Sequence, residues 1–299
     1  MRSVLFFLSW LLAMRANAQT IGMNEVVVDS TVQYQFSLDD GSRFTGSVVA
    51  MDLESFTIRT SSAGDVRMLK KNVEKVMKLD MSLTTFGRHW FPNPHGTRYL
   101  LGPSAIPLEK GEGYYQNTYL FLNSVQVGVS KNVSIGGGIE LLTTFSVNGP
   151  GPIFFLTAKS GFKVARDLHL GAGGLYLSIP DFSFDGTKDR VAVGALYGQA
   201  TYGNRERQIT GSLGWGYSAD GLARRPMPTL AGLVRIGGKA AFITENWFIP
   251  TERSYYTLIS YGIRFMGESI AVDVAFLNNG DIVQVIAIGI PWIDLVVKF

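Results

Sequence analysis

Residues 283–299 read VQVIAIGIPWIDLVVKF, and their last nine positions decide the fold. Successive residues of a β-strand point to opposite faces of the sheet. One face of these nine positions is apolar throughout: Ile293, Leu295, Val297 and Phe299. The other face carries both signs of charge, from Asp294 and Lys298. The pattern predicts a strand with one apolar face and one charged face, closing on an aromatic residue.

Such a strand resembles the last strand of outer-membrane β-barrels. The assembly machinery of Gram-negative cells recognises that strand, so the resemblance implies that Phe299 is an assembly signal and that this machinery is a partner. The alternative is a hydrophobic edge strand of a soluble β-protein, and the rest of the sequence has to decide between them.

The composition excludes several classes of protein. Charged residues make up 17% of the chain, below the ~25% of soluble domains, and cysteine is absent, which removes disulfides, thiolate metal sites and cysteine nucleophiles. The net charge is only +3 and no basic run alternates with aromatic residues, so no nucleic acid partner is expected. Mean hydropathy is +0.15 although no apolar run of ~18 residues follows the N-terminus. Apolar residues dispersed along strands are typical of a transmembrane barrel.

The N-terminal residues predict export. Arg2, the apolar run Val4–Met14 and the small residues Ala16-Asn17-Ala18 form the three parts of a secretory signal peptide. We therefore assign residues 1–18 to a signal peptide and expect cleavage after Ala18.

Residues 19–80 predict a small β-domain in the periplasm. Short alternating strands occupy Val32–Leu38, Phe44–Met51, Phe56–Thr60 and Val66–Leu69, and Asp39-Asp40-Gly41 is a strong hairpin signal. The pattern is similar to the small SH3-like and Sm-like barrels. Because the chain is exported, the expected partner of this domain is a periplasmic protein.

Residues 81–96, which contain Pro92, Pro94 and Gly96, predict a linker, and residues 97–299 predict a barrel of about twelve strands. The predicted strands are Thr97–Ile106, Tyr114–Val129, Val133–Val147, Ile153–Ala165, Leu168–Ile179, Arg190–Tyr202, Arg207–Ser218, Thr229–Ile236, Ala240–Ile249, Tyr255–Met266, Ile270–Leu277 and Val283–Phe299. Short and long connections alternate, as in barrels with short periplasmic turns and longer outer loops. The fold class is therefore all-β, an antiparallel up-and-down transmembrane barrel in the outer membrane, with outer-membrane lipid around it.

Alternation along the strands predicts which side chains face the lumen. In Tyr255–Met266 and Ile270–Leu277 one parity is apolar, and Arg264 and Asp273 lie opposite it. The strand Ala240–Ile249 is ambiguous, since Glu245 faces inward only if Phe242 and Phe248 face lipid. The expected lumen-facing residues are Glu140, Lys159, Lys163, His169, Arg235, Glu245, Arg264, Asp273, Asp294 and Lys298.

A family resemblance rests on residues near the predicted linker. These are Asn93-Pro94-His95-Gly96-Thr97-Arg98-Tyr99, Gly102-Pro103-Ser104-Ala105 and Lys110-Gly111-Glu112-Gly113-Tyr114-Tyr115-Gln116-Asn117. They resemble uncharacterised outer-membrane barrel proteins of the Bacteroidetes type. The resemblance implies the fold and the membrane and supplies no functional site.

The sequence leaves three functions open. The first is a narrow pore or solute-binding barrel, in which inward charges set selectivity. The alternative is a structural or assembly anchor with a closed lumen, whose periplasmic domain binds a partner. The third is an outer-membrane hydrolase, which needs an activated serine beside a histidine and a carboxylate. No motif for nucleotide, metal or nucleophilic chemistry occurs, so we expect no enzyme, no cofactor and no metal.

Overall fold

The computed structural model describes residues 20–60, 63–79, 84–85, 88–89, 91–146, 151–180 and 190–299. The expected signal peptide, residues 1–18, lies outside the described residues. The chain divides into two compact units, Met1–Phe91 and Pro92–Phe299.

The first unit holds a small antiparallel sheet around its own core. Its strands are β1 (Thr20–Ile21), β2 (Gln33–Leu38), β3 (Arg43–Met51), β4 (Ser55–Thr60), β5 (Gly64–Leu69) and β6 (Val73–Leu79). They are hydrogen-bonded in the order β1-β6-β2-β3-β4-β5, so β6 returns to pair with β2. Gly41 adopts a φ of 82° in the β2–β3 turn, which confirms the predicted hairpin. A separate hairpin joins β7 (Thr84–Thr85) and β8 (Arg88–His89).

The core of this small sheet comes from alternate strand positions. Tyr34 and Phe36 of β2 are completely buried and pack with Val48, Phe56 and Ile58. Each such side chain contributes about 1.5–3 kcal/mol by leaving water.

The second unit is a larger antiparallel sheet. Its strands are β9 (Gly113–Thr118), β10 (Leu122–Ser130), β11 (Val133–Glu140), β12 (Phe154–Lys163), β13 (Leu168–Pro180), β14 (Arg190–Asn204), β15 (Arg207–Ser218), β16 (Gly221–Leu222), β17 (Met227–Gly237), β18 (Ala240–Pro250), β19 (Tyr255–Met266), β20 (Ile270–Asn278) and β21 (Ile290–Lys298). Short helices, Leu141–Phe145 and Ile282–Val285, follow β11 and β20. In the part of the chain that the structure describes, no helix is long and apolar enough to cross a membrane.

The larger sheet closes into a barrel. Of its thirteen strands, the two-residue β16 pairs only with β15. The other twelve form a ring, because β9 pairs with β10 on one side and with β21 on the other. Closure leaves the twelve strands of the ring without an edge strand, which is the condition for strands to cross a bilayer.

The two ends of the barrel differ in their connections. Residues 131–132, 164–167, 205–206, 238–239 and 267–269 join strands at one end, the short-turn end, where the first and last strands of the ring also meet. The other connections are at the opposite end, the long-loop end, and include residues 141–153 and 279–289. The predicted up-and-down topology is therefore confirmed.

Four predicted strands differ from the structure. In Val133–Val147 the strand is Val133–Glu140, and Leu141–Phe145 is a helix. Thr97–Ile106 is not a strand, and its only ladder contact is an isolated bridge between Arg98 and Pro103. Tyr114–Val129 is the hairpin of β9 and β10, with a turn at residues 119–121. In Val283–Phe299 the first residues belong to a helix and loop, and only Ile290–Lys298 is a strand. The number twelve holds because the unpredicted hairpin replaces the strand that is missing.

The outer face of the barrel is apolar. Ile259 and Phe265 of β19 are 44% and 52% exposed, whereas Arg264 between them is completely buried. Phe242 is 39% exposed and Glu245 is 1% exposed, which resolves the ambiguity of β18. An exposed apolar band around a closed antiparallel barrel is the lipid-facing surface of a transmembrane β-barrel.

Candidate functional site

The lumen of the barrel contains the residues that precede its first strand. We call residues 93–108 the plug segment. Tyr99, Leu100 and Ala105 of this segment are at most 1% exposed, although they belong to no helix or strand. Their neighbours are inward-facing side chains from strands on several sides of the barrel, described below. The plug segment therefore fills the space that a pore would keep open.

The plug segment folds back on itself at its centre. The amide of Ser104 donates to the carbonyl of Thr97 at 3.0 Å, and the amide of Tyr99 donates to Gly102 at 2.9 Å. The side chain of Asn93 accepts from the amide of His95 at 3.0 Å, which turns the chain at its entry to the lumen. Asn, Gly and Pro favour such turns, and most of the plug backbone remains without a ladder partner. Side chains of the barrel have to supply the missing hydrogen bonds.

Arg264 of β19 supplies donors to the plug backbone. Its Nε and Nη2 atoms both lie 2.7 Å from the two carboxylate oxygens of Asp273 on β20, and neither side chain is more than 1% exposed. The same guanidinium donates to the carbonyls of His95, Arg98 and Tyr99. Hydrogen bonds to a charged group contribute about 1.5–3 kcal/mol each, so Arg264 is a strong attachment for the plug.

Glu245 and Lys159 bind the plug from two other sides. The carboxylate of Glu245 on β18 accepts from the amides of Leu101 at 2.7 Å and Gly102 at 2.6 Å. The ammonium of Lys159 on β12 donates to the carbonyls of Thr97, Ser104 and Ile106 at 3.3, 2.9 and 2.8 Å. The acid thus meets backbone donors and the base meets backbone acceptors.

Neutral side chains complete the attachment. The hydroxyls of Tyr99 and Thr210 lie 2.7 Å apart, and Thr201 accepts from the amide of Ala105 at 2.8 Å. Gln208 donates to the carbonyl of Gly96 at 2.6 Å. These contacts belong to β14 and β15, so the plug is held around the barrel wall.

Glycines let the plug touch the wall. A Cβ on Gly161 of β12 would lie 2.1 Å from the carbonyl oxygen of Ala105 in the plug, and one on Gly128 of β10 would lie 2.0 Å from that of Glu109, the residue directly after the plug. No side chain fits at these distances, so both positions require glycine while the plug is in place.

A second charge cluster joins the barrel at the short-turn end. The carboxylate of Glu112 lies 2.5 Å from Arg205 of the β14–β15 turn and 2.8 Å from Lys298 of β21. Burial raises the pKa of Glu112, but the hydrogen bonds and charges of Arg205 and Lys298 outweigh it and hold that pKa at about 2. In the same turn Glu206 accepts from the amide of Asn93 at 2.7 Å and pairs with Arg235 at 3.0 Å.

The remaining predicted residues have separate places. Asp294 is buried and accepts from Gln116 at 2.6 Å and Thr118 at 3.0 Å. Glu140 is the last residue of β11, and its carboxylate caps the helix Leu141–Phe145. Lys163 ends β12 and is exposed, whereas His169 near the start of β13 is partly buried. The backbone of Phe299 exchanges two hydrogen bonds of 2.9 Å with Gly113 where the barrel closes.

Several residues of the site were not predicted. Arg98, Glu112, Arg205 and Glu206 lie in segments that the sequence assigns to a strand, a loop and a tight turn. No pattern in the sequence distinguishes Arg205 and Glu206 from the solvated charges that are usual in surface turns. No group of three His, Cys, Asp or Glu residues placed to hold a metal ion occurs among the described residues.

Known proteins resemble this chain only weakly. No family model and no curated protein matches the sequence. A solved structure described as the NanC porin aligns at a TM-score of 0.38 and 8% identity, covering 62% of this chain and 97% of that one. A loop deletion mutant of OmpT, an outer membrane protein of Vibrio cholerae, aligns at a TM-score of 0.32 and 10% identity, covering 90% and 97%. Likeness at this level carries no argument about function, and the transmembrane barrel fold rests on the strand pairing itself.

Proposed function

We propose that this protein is an outer-membrane anchor whose barrel is closed by the plug segment and whose N-terminal β-domain binds a periplasmic partner. The observation that carries the proposal is the attachment of the plug backbone to buried Arg264, Glu245 and Lys159. The charged side chains that line a pore are exposed to water and to the solutes that pass. Here the charged groups of Arg264, Glu245 and Lys159 form hydrogen bonds with the backbone of the plug.

The orientation follows from the connections. Short turns of outer-membrane barrels lie in the periplasm. The plug enters the lumen at the short-turn end, because Asn93 contacts Arg205 and Glu206 there. The N-terminal domain would therefore be held in the periplasm, which suits a domain that recruits a soluble partner.

We also infer that the protein is not an enzyme and that it belongs with the Bacteroidetes-type barrels. The buried acid and base groups of the lumen are engaged in holding the plug, which supports a structural role. Two of the family-like motifs, Asn93–Tyr99 and Gly102–Ala105, are themselves plug residues. The feature shared with those barrels would then be the plug and the residues that attach it.

Single-channel conductance in a planar bilayer tests the anchor. We compare the chain from residue 19 with two deletions, one lacking residues 19–91 and one lacking residues 19–108. The first deletion keeps the plug and should be silent like the longer chain, whereas the second should show stable openings. Heat-modifiable migration on gels establishes that each barrel is folded. Stable openings in the longer chain or in the first deletion would overturn the closed lumen.

A further inference from the structure

The half of the lumen above the plug carries apolar side chains on four of its strands, β12, β13, β14 and β18. Its lining comes from Phe155, Leu175, Leu177, Val193, Tyr197 and Trp247. Each lies on the same face of its strand as an inward residue that contacts the plug. These inward residues are Lys159 on β12, Gly171 on β13, Thr201 on β14 and Glu245 on β18. All six are partly exposed, so space remains between them. We call this space the outer cup.

The floor of the outer cup is the plug. Leu101, in the turn of the plug, is 36% exposed although the residues around it are buried. Gly102 beside it lies against the ring of Trp247, since a Cβ on that glycine would be 3.4 Å from Cζ2. A water-filled barrel has a polar interior. A concave apolar space at the mouth of a barrel is instead typical of a site for an apolar ligand.

The wall of the barrel has unequal height. Strand β9 has 6 residues and β11 has 8, whereas β14 has 15. At ~3.3 Å per residue and a tilt of ~40°, six residues rise only ~15 Å, short of the ~25 Å apolar band of a bilayer, and fifteen rise well above it. Strands β10, β20 and β21 have 9 residues each, so the side of the barrel formed by β20-β21-β9-β10-β11 is lower than the side that contains β14, and we call it the low wall.

The rim of the low wall is itself apolar. Leu120 in the β9–β10 turn is 76% exposed, Phe145 after β11 is 65% exposed, and Val285 and Ile288 after β20 are 84% and 62% exposed. Part of their backbone is satisfied locally, because Glu140 caps one helix and the amide of Ile286 donates to Ile282 at 2.8 Å. Apolar side chains on such a rim fit the acyl region of the outer leaflet.

We propose that the outer cup binds an acyl chain of a membrane lipid, which enters from the outer leaflet over the low wall. The apolar lining gives the chain a surface to bury against, and the continuity of the rim with the bilayer identifies its source. Moving a methylene from water into an apolar site contributes ~0.8 kcal/mol, whereas moving it there from lipid contributes nothing. The acyl chain binds because an empty outer cup would hold water against apolar side chains. Binding of the acyl chain does not depend on any partner of the N-terminal domain.

Fluorescence of single tryptophans tests this. One variant retains only Trp247 (W90F, W215F, W292F) in the outer cup, and another retains only Trp215 on the lipid face of β15, each in the chain from residue 19. Both are folded into bilayers of dibrominated phosphatidylcholine or of its ordinary counterpart. We expect bromine to lower the emission of both tryptophans at least twofold. Leu177→Asp should abolish the loss for Trp247 and leave Trp215 unchanged, whereas Leu177→Met should preserve both.

Two results would overturn the proposal. In the first, Trp215 is quenched by brominated lipid but Trp247 is not, with heat-modifiable migration showing a folded barrel. In the second, Trp247 is quenched only by acrylamide or by a brominated fatty acid added from the aqueous side, which would make the outer cup a water-filled vestibule or a site for a soluble ligand.

Discussion

At the scale of single residues, alternation along β19 predicts that Arg264 faces inward but not what it binds. Parity along β19 places Arg264 opposite apolar side chains, whereas parity along β18 leaves Glu245 ambiguous; the structure buries both among plug residues. Their partners are backbone amides and carbonyls, which every residue carries. No side-chain pattern marks such partners in advance, so these charges resembled a pore lining.

Replacing Arg264 tests the attachment at its strongest point. Arg264→Met leaves the carboxylate of Asp273 buried and unpaired and removes the donor from three plug carbonyls, so we expect the barrel to lose about 3–5 kcal/mol of stability. Urea unfolding followed by heat-modifiable migration measures the loss. The double variant R264M/D273L removes the orphaned charge as well and should recover part of it. A loss below 1 kcal/mol in the single variant would contradict the role of this pair.

Glu112 gives the barrel a pH dependence in the acid range. Burial alone would raise its pKa, but the hydrogen bonds and charges of Arg205 and Lys298 outweigh burial and lower that pKa from the ordinary 4.5 to about 2 on folding. A carboxyl whose pKa falls on folding contributes stability above its unfolded pKa, and the contribution is lost as pH falls from 4.5 towards 2. Glu112→Gln should flatten this decline in urea midpoints measured from pH 6 to pH 2. Glu252→Gln, at an exposed loop carboxylate, is the control and should leave the decline unchanged.

At the scale of elements, two errors of the sequence prediction have identifiable physical causes. The turn at residues 119–121 places Tyr119 and Leu120 at φ values of 53° and 68°, where glycine or asparagine is usual. Nothing in Tyr-Leu-Phe indicates a turn, so β9 and β10 merged into one predicted strand of sixteen residues. That length exceeds the ~9–11 residues of a membrane strand and was the available warning. Conversely, Pro103 within Thr97–Ile106 argued against a central strand.

The contact between plug and wall predicts the effect of a single methyl group. Gly161→Ala places a Cβ where the carbonyl of Ala105 lies, so the plug has to move and the closed lumen should leak. Conductance or liposome swelling measures the leak. Gly198→Ala is the matched control, because nothing lies within 4 Å of a Cβ at that strand position. Equal behaviour of the two variants would show that the plug is not held against β12.

At the scale of the whole molecule, the division into two units is the feature that the sequence predicts best. The N-terminal part of the sequence has short strands around an Asp-Gly turn, and the rest has long strands with alternating short and long connections. The boundary between these patterns separates the two main sheets of the structure. The linker is less well predicted, because residues 93–96 begin the plug. Whether a polar stretch fills a lumen depends on contacts more than a hundred residues away, such as that of Gly102 with Glu245.

The separate cores predict separate unfolding. Phe36→Ala removes a completely buried ring from the small sheet, and a loss of about 3–5 kcal/mol is a large part of the stability of so small a domain. Limited proteolysis should then degrade residues 20–79 while the barrel keeps its heat-modifiable migration. Leu53→Ala, at a side chain that is 96% exposed, should leave both units intact. Loss of the barrel with Phe36→Ala would mean that the two units fold as one.

The position of the plug directly before β9 also fixes its effective concentration. Only residues 109–112 separate it from the barrel wall, and a tether this short keeps a ligand at millimolar levels or above at its site. A free peptide with the sequence of residues 93–108 would have to exceed that concentration to compete. A barrel that lacks its own plug has no such competitor. The same peptide, added from outside, would bind in its lumen and block ion conductance.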